Sequence, residues 1–156
     1  MRKQFLVLVA LCAMAIGASA QAVGGKEEAL TIRNGEHSIF GVLSRPANGK
    51  KKQPVAIVVH GFNGGHSFGK NYFETLNDIG YQCYTFDFPY GSTYSQSDPN
   101  TMKMSVRGQQ DDLMAIVEHF KKQPDVDASR IVLIGESQGV LLRLWLHPKS
   151  LRTSAS

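Results

Sequence analysis

Apolar positions fall into runs whose lengths and spacings predict different elements. Leu30–Arg33 and Ile39–Leu43 flank Asn34-Gly35, a dipeptide suited to a tight turn, and predict an antiparallel hairpin after a polar leader over residues 21–28. Pro46–Gln53 is a polar connector. Val55-Ala56-Ile57-Val58-Val59 is continuously apolar and mostly β-branched, the pattern of a strand covered on both faces. Tyr81–Asp87 and Ile131–Ile134 read as two further strands of that kind. Helical spacing appears between them. Asn71–Ile79 predicts a short helix stopped by Gly80. Ser105–Lys122 predicts a longer one, with Val106, Leu113, Ile116, Val117 and Phe120 on one face, Gly108 weakening its first turns, and Pro124-Asp125 closing it. His60–Gly69 and Pro89–Pro99, rich in Gly, Ser and Pro, read as loops.

This order, a hairpin followed by alternating strands and helices, predicts an α/β fold: an N-terminal hairpin plus three parallel strands with crossover helices. At 156 residues the chain has room for one domain. The composition, 42% apolar and 19% charged, is that of a chain able to bury a core rather than of a disordered one.

The N-terminus carries a different signal. Arg2 and Lys3 precede an apolar stretch over residues 5–16, and Ala18-Ser19-Ala20 supplies small residues before Gln21. That is the layout of a signal peptide over 1–20 cleaved near Ala20-Gln21, and it predicts a secreted or periplasmic protein. The stretch is shorter than the roughly 20 apolar residues of a spanning helix, so no stable membrane anchor is expected. Without residues 1–20 the net charge is +2 rather than +4, which argues against nucleic acid as a partner. Lys50-Lys51-Lys52 then reads as a solvated loop. Cys83 is the one cysteine left, so no internal disulfide is expected, and its apolar surroundings predict a buried, inert thiol.

The chemistry lies where the third parallel strand ends. Gly135-Glu136-Ser137-Gln138-Gly139 follows Ile131–Ile134 directly. A G-x-S-x-G sequence between a strand and a helix is a nucleophile elbow: a sharp turn exposes the serine hydroxyl, and flanking glycines allow strand and helix to approach closely. Ser137 is the candidate nucleophile, with Gly135 and Gly139 as the supporting glycines. The loop His60-Gly61-Phe62-Asn63-Gly64-Gly65 starts where the first parallel strand ends, which nominates the backbone amides of Phe62 and Gln138 as an oxyanion hole. His60 and Gly61 are read as supporting that loop, His60 by orienting backbone rather than by moving protons. Acyl transfer by such a site needs no metal and no cofactor.

Together, Val58-Val59-His60-Gly61-Phe62, Phe86-Asp87-Phe88, Met104-Ser105-Val106, Asp111-Asp112-Leu113 and Ile131–Gly139 resemble the N-terminal half of the α/β-hydrolase esterases, most nearly the bacterial feruloyl (cinnamoyl) esterases. The resemblance covers about residues 29 to 139 and implies a truncated α/β-hydrolase core. It also implies a serine carboxylesterase acting on a small ester substrate, feruloylated carbohydrate among the candidates. Serine peptidases and lipases share this core and stand as alternatives. Two places depart from the family's pattern: the loop Asp87-Phe88-Pro89-Tyr90-Gly91-Ser92, and Val140, where members carry a second glycine.

The family's catalytic acid and histidine follow later strands. Beyond Ser137 this chain has no Asp or Glu and one histidine, His147. Ten residues along a helix is about 15 Å of rise. That is too far for a base, which must reach to within roughly 3 Å of the nucleophile. Residues 140–156 also change character, with bulky Leu141-Leu142-Arg143-Leu144-Trp145-Leu146 where a closely packed elbow helix needs small side chains. Regrouping the allowed codons by one base permits a small-residue stretch there, so a frameshift is one reading of this atypical tail. A genuine short protein is the other, and an inactive truncated product with no catalytic function stands as an alternative to the enzyme readings.

Overall fold

The computed structural model describes residues 25–145. The predicted signal segment 1–20 and His147 lie outside the described residues. Five strands form one sheet: β1 (Lys26–Asn34), β2 (His37–Arg45), β3 (Gln53–Val59), β4 (Gln82–Phe86) and β5 (Val126–Gly135), in the spatial order β1-β2-β4-β3-β5. β1 and β2 are antiparallel, β2 runs antiparallel to β4, and β3 pairs in parallel with both β4 and β5. The hairpin and three parallel strands follow the order predicted from the sequence. Strand β1 begins at Lys26, inside the expected polar leader, because Lys26, Glu27 and Glu28 pair across to Arg45, Ser44 and Leu43.

The covered strands explain the apolar runs. Every residue of β3 is buried. Val55, Ile57 and Val59 point to one face, where they join Tyr84, Phe86, Leu113, Ile116, Val117 and Phe120. Ala56 and Val58 point to the other, with Val42, Phe73, Leu76 and Cys83. Helix α3 (Val106–Lys121) covers the first face, and the short helices α1 (His66–Gly69) and α2 (Phe73–Asp78) cover the second. The result is three layers. Gly41 makes room for the largest of the core rings: a Cβ there would lie 2.3 Å from the Tyr84 hydroxyl, which itself donates to the Leu30 carbonyl at 3.2 Å. Burial pushes the Cys83 thiol up to about 12.

Further details depart from the sequence expectation, among them that the stretch His60–Gly69, read as loop, ends in the one-turn helix α1. Val106 is 42% exposed, because the core face of α3 starts one turn later, at Gln109. β5 is longer than Ile131–Ile134 and is not buried throughout; Val132 is 40% exposed. Its pairing partners jump from Gln53↔Val126 to Val55↔Ile131, so residues 127–130 stand opposite Pro54 alone. Asp127 closes this excursion by accepting from the Ser129 hydroxyl and Arg130 Nε, which holds its carboxyl down to about 2. Helix α4 (Gln138–Trp145) runs continuously through the 139/140 point at which the sequence changes character.

The start of α3 carries a testable local economy. Ser105 caps the helix by accepting from the Gly108 amide at 3.0 Å, and a Cβ on Gly108 would meet the same hydroxyl at 2.9 Å. Ser105→Ala is expected to cost about 1 kcal/mol. Gly108→Ala, ordinarily a gain of about 1 kcal/mol in an exposed helix, is expected to gain little here and more when Ser105 is already Ala. Urea denaturation of the two single variants and the double variant checks this; strictly additive effects would refute the shared contact.

Candidate active site

Ser137 sits at the carboxyl end of β5, on the turn into α4, and is exposed. Its backbone is left-handed, with φ of 50°, a conformation costly for a residue bearing a Cβ. The elbow glycines have a steric reason. A Cβ on Gly135 would lie 2.6 Å from the Gly139 carbonyl oxygen, and a Cβ on Gly139 would lie 2.4 Å from the Val59 carbonyl oxygen. Thus α4 rests its first turn directly on the backbone of β3. The Glu136 amide donates to the Val59 carbonyl at 3.3 Å, and the Gly139 and Val140 amides donate back to Glu136 and Ser137.

The loop after β3 faces this turn. Gly61 is the point of closest approach: a Cβ there would sit 3.2 Å from Ser137 Cβ and 3.7 Å from its Oγ. His60, Gly61, Phe62, Gly64, Phe68, Glu136 and Ser137 line a depression of about 220 Å³. Phe62 is 66% exposed at its rim. Among the described residues, neither the Phe62 nor the Gln138 amide donates to a protein acceptor. The Gln138 side chain is tied down instead: its Nε2 donates to Oε1 of the buried Gln109 on α3 at 2.8 Å.

His60 is buried, and both ring nitrogens are engaged. The Phe88 amide donates to Nε2 at 3.2 Å, so Nε2 holds the lone pair; Nδ1–H therefore donates to the Gly61 carbonyl at 2.7 Å. Burial is the main cause that lowers its pKa below 6.5, so the ring stays neutral. It is a brace between the loops after β3 and β4. The Asn63 amide adds a second tie by donating to the Gly91 carbonyl.

Several buried polar residues were given no role of their own from the sequence. Asp87, at the end of β4, accepts from the His66 amide at 2.6 Å, from His66 Nδ1 at 2.9 Å and from the Gln96 amide at 2.9 Å. Asp112 on α3 accepts from Asn34 Nδ2 and His37 Nδ1, fastening the hairpin turn to the helix. Gln109 and Asp112 had a visible signal, since both interrupt the apolar face of α3. Asp87 closes an apolar strand run, a place where α/β proteins put functional groups.

Replacing Gly135 or Gly139 by Ala is expected to destabilise the fold by roughly 1–3 kcal/mol, because the new methyl meets backbone rather than a mobile side chain. Chemical denaturation of each variant checks this. His60 gives a pH signature. Its folded pKa lies below the unfolded value of 6.5, so below that pH the unfolded chain binds the proton more readily. The stability it contributes is present above pH 6.5 and is lost as pH falls through the folded value. Melting curves from pH 7.5 down to 5 are expected to fall more steeply for the parent chain than for His60→Gln; equal slopes would contradict the assignment.

No family model matches the sequence, and no curated protein matches it. Solved structures do. Est1E from Butyrivibrio proteoclasticus, solved with ferulic acid bound, superposes with a TM-score of 0.65 at 26% identity, over 74% of this chain and 45% of its own. DcsB, solved with its substrate analogue, gives 0.64 at 26% identity over 75% of this chain and 39% of its own. The acylaminoacyl peptidase of Pyrococcus horikoshii shares the fold at 18% identity, with a TM-score of 0.63 over 78% of this chain and 21% of its own. The chain thus spans less than half the length of each of these structures. The described residues, with their mixed five-stranded sheet and the neighbours it matches, form part of an α/β-hydrolase core.

Proposed function

We propose that the chain carries the nucleophile half of a secreted or periplasmic serine carboxylesterase. The observation that carries this reading is the left-handed Ser137, exposed on a strand-to-helix turn and facing Gly61 across a small depression. A backbone held in that conformation points the hydroxyl outward, where an ester carbonyl can meet it.

In the proposed reaction Ser137 Oγ attacks the ester carbonyl carbon and loses its proton to a base. The carbonyl oxygen becomes an oxyanion, which the amides of Phe62 and Gln138 stabilise; one such donor is commonly worth roughly 10²–10³ in rate. The C–O bond to the alcohol then breaks, the alcohol leaves with a proton, and water releases the acid from Ser137. His60 cannot take the proton without breaking its bond from the Phe88 amide. His60 is therefore a brace and not the base, and base and orienting acid are assigned to none of the described residues. Est1E, with its bound ferulic acid, makes a hydroxycinnamoyl ester such as a feruloylated carbohydrate the first substrate to try.

The test separates the nucleophile from the missing base. The purified chain is incubated with p-nitrophenyl acetate in the presence and absence of imidazole, which supplies a base from solution. We expect slow acetylation of Ser137, seen by peptide mass spectrometry and accelerated by imidazole, and none at position 137 in Ser137→Ala. Acetylation spread equally over other residues, with Ser137 unmodified, would overturn the proposal.

A further inference from the structure

Gln109 is the polar residue that α3 buries against the start of α4. It is 3% exposed, its amide donates to the Ser105 carbonyl at 3.0 Å, and its Oε1 accepts from Gln138 Nε2 at 2.8 Å. Leu113 and Ile116, on the following turns of α3, are fully buried. An apolar side chain at 109 would suit that face without loss of solvation, whereas a buried amide is tolerated only when it is bonded. The bond that Gln109 makes goes to the residue that follows Ser137.

That bond differs in kind from the other contacts of α4. Gly139 rests on the Val59 carbonyl, and Leu142 is buried in the core cluster that holds Leu113 and Ile116. Gln138 and Leu142 are four residues apart and so share a face of the helix. Close packing fixes how near α4 lies to its neighbours, but it is not directional. A hydrogen bond is directional, since it weakens steeply off its axis. The Gln109–Gln138 pair is a directional contact at the first residue of α4, whose backbone amide donates to no protein acceptor among the described residues. α3 is itself a firm support, because Asp112 accepts from Asn34 and His37 of the hairpin.

We propose that Gln109 is a positioning residue for acyl transfer at Ser137: its hold on the Gln138 side chain fixes the direction of the Gln138 backbone amide before an oxyanion forms. The inference rests on the esterase reading. A donor fixed in advance loses nothing to reorganisation as charge develops. Both side chains of the pair are neutral, so the pin adds no charge that would repel the oxyanion.

The test follows rate and stability together on the full chain, with p-nitrophenyl acetate and imidazole, mass spectrometry of Ser137 and urea denaturation. Methionine replaces glutamine with little change in volume and without the amide. Gln109→Met and Gln138→Met are each expected to slow acetylation roughly 10-fold, a part of what losing a whole donor costs. Gln138→Met breaks the same bond from a half-buried position, so the test stands even if Gln109→Met fails to fold. The double variant is expected to be no slower than either single one, because all three lose the same bond. Its stability is expected to return close to the parent's, since no amide is left unpaired. Slow acetylation in a chain of restored stability separates positioning from a structural role. In ¹H–¹⁵N NMR the Gln138 backbone amide is expected to shift in Gln109→Met while those of Ile116 and Val117 stay. Parent-like acetylation in both single variants, a double variant slowed by the product of the single effects, or a rate that recovers with stability in the double would overturn this inference and leave the esterase reading standing. A parent chain unmodified at Ser137 would overturn both.

Discussion

The contact on which the rest depends is that of two backbones: the first turn of α4 against the end of β3. Gly139 touches the Val59 carbonyl closely enough to exclude any side chain, and Gly135 is closed off in the same way by the turn it begins. That contact fixes where α4 starts. It also fixes the direction in which Ser137 leaves the sheet and the distance at which Gly61 faces it. β3 can serve as the anvil because it is paired on both edges and buried on both faces. A strand free to shift would let the turn relax and the serine swing.

The loops at the carboxyl ends of the parallel strands are held to one another by polar groups of low exposure. His60 links the loops after β3 and β4 through its two nitrogens. Asp87 reaches from the end of β4 to both His66 and the Gln96 amide. Gln109 passes the position of α3 to Gln138. The opposite end of the sheet is fastened differently, by Arg45, which meets Glu28, Gln82 and Asp125 and so joins β1, β2, β4 and the approach to β5. Ion pairs secure the end away from the site, and neutral or histidine-centred hydrogen bonds secure the end that carries it.

Much of this was legible in the sequence because it is local. The elbow glycines, the turn at Asn34-Gly35 and the run Val55–Val59 each declare a backbone state within a few residues. What was not legible is what depends on distant partners. Asp87 and His66 lie 21 residues apart, and Gln109 and Gln138 lie 29 apart; neither spacing has a pattern to read. The beginning of β1 was missed because Lys26–Glu28 are mostly solvent-facing and are made into strand by β2 alone. Val106 follows the helical spacing of the core residues yet lies before the point where α3 meets the sheet.

Three residues with side chains hold left-handed backbone among the described residues: Asn63, Tyr90 and Ser137, with φ of 56°, 63° and 50°. They fall in the loops that follow β3, β4 and β5, one in each. Glycine would take these shapes with less strain. It would also leave each loop chemically mute, with no amide, phenol or hydroxyl aimed from a fixed stem. The fold carries strain at these three points and keeps in return three side chains whose Cα–Cβ bonds leave the main chain in a direction that a right-handed or extended backbone would not give.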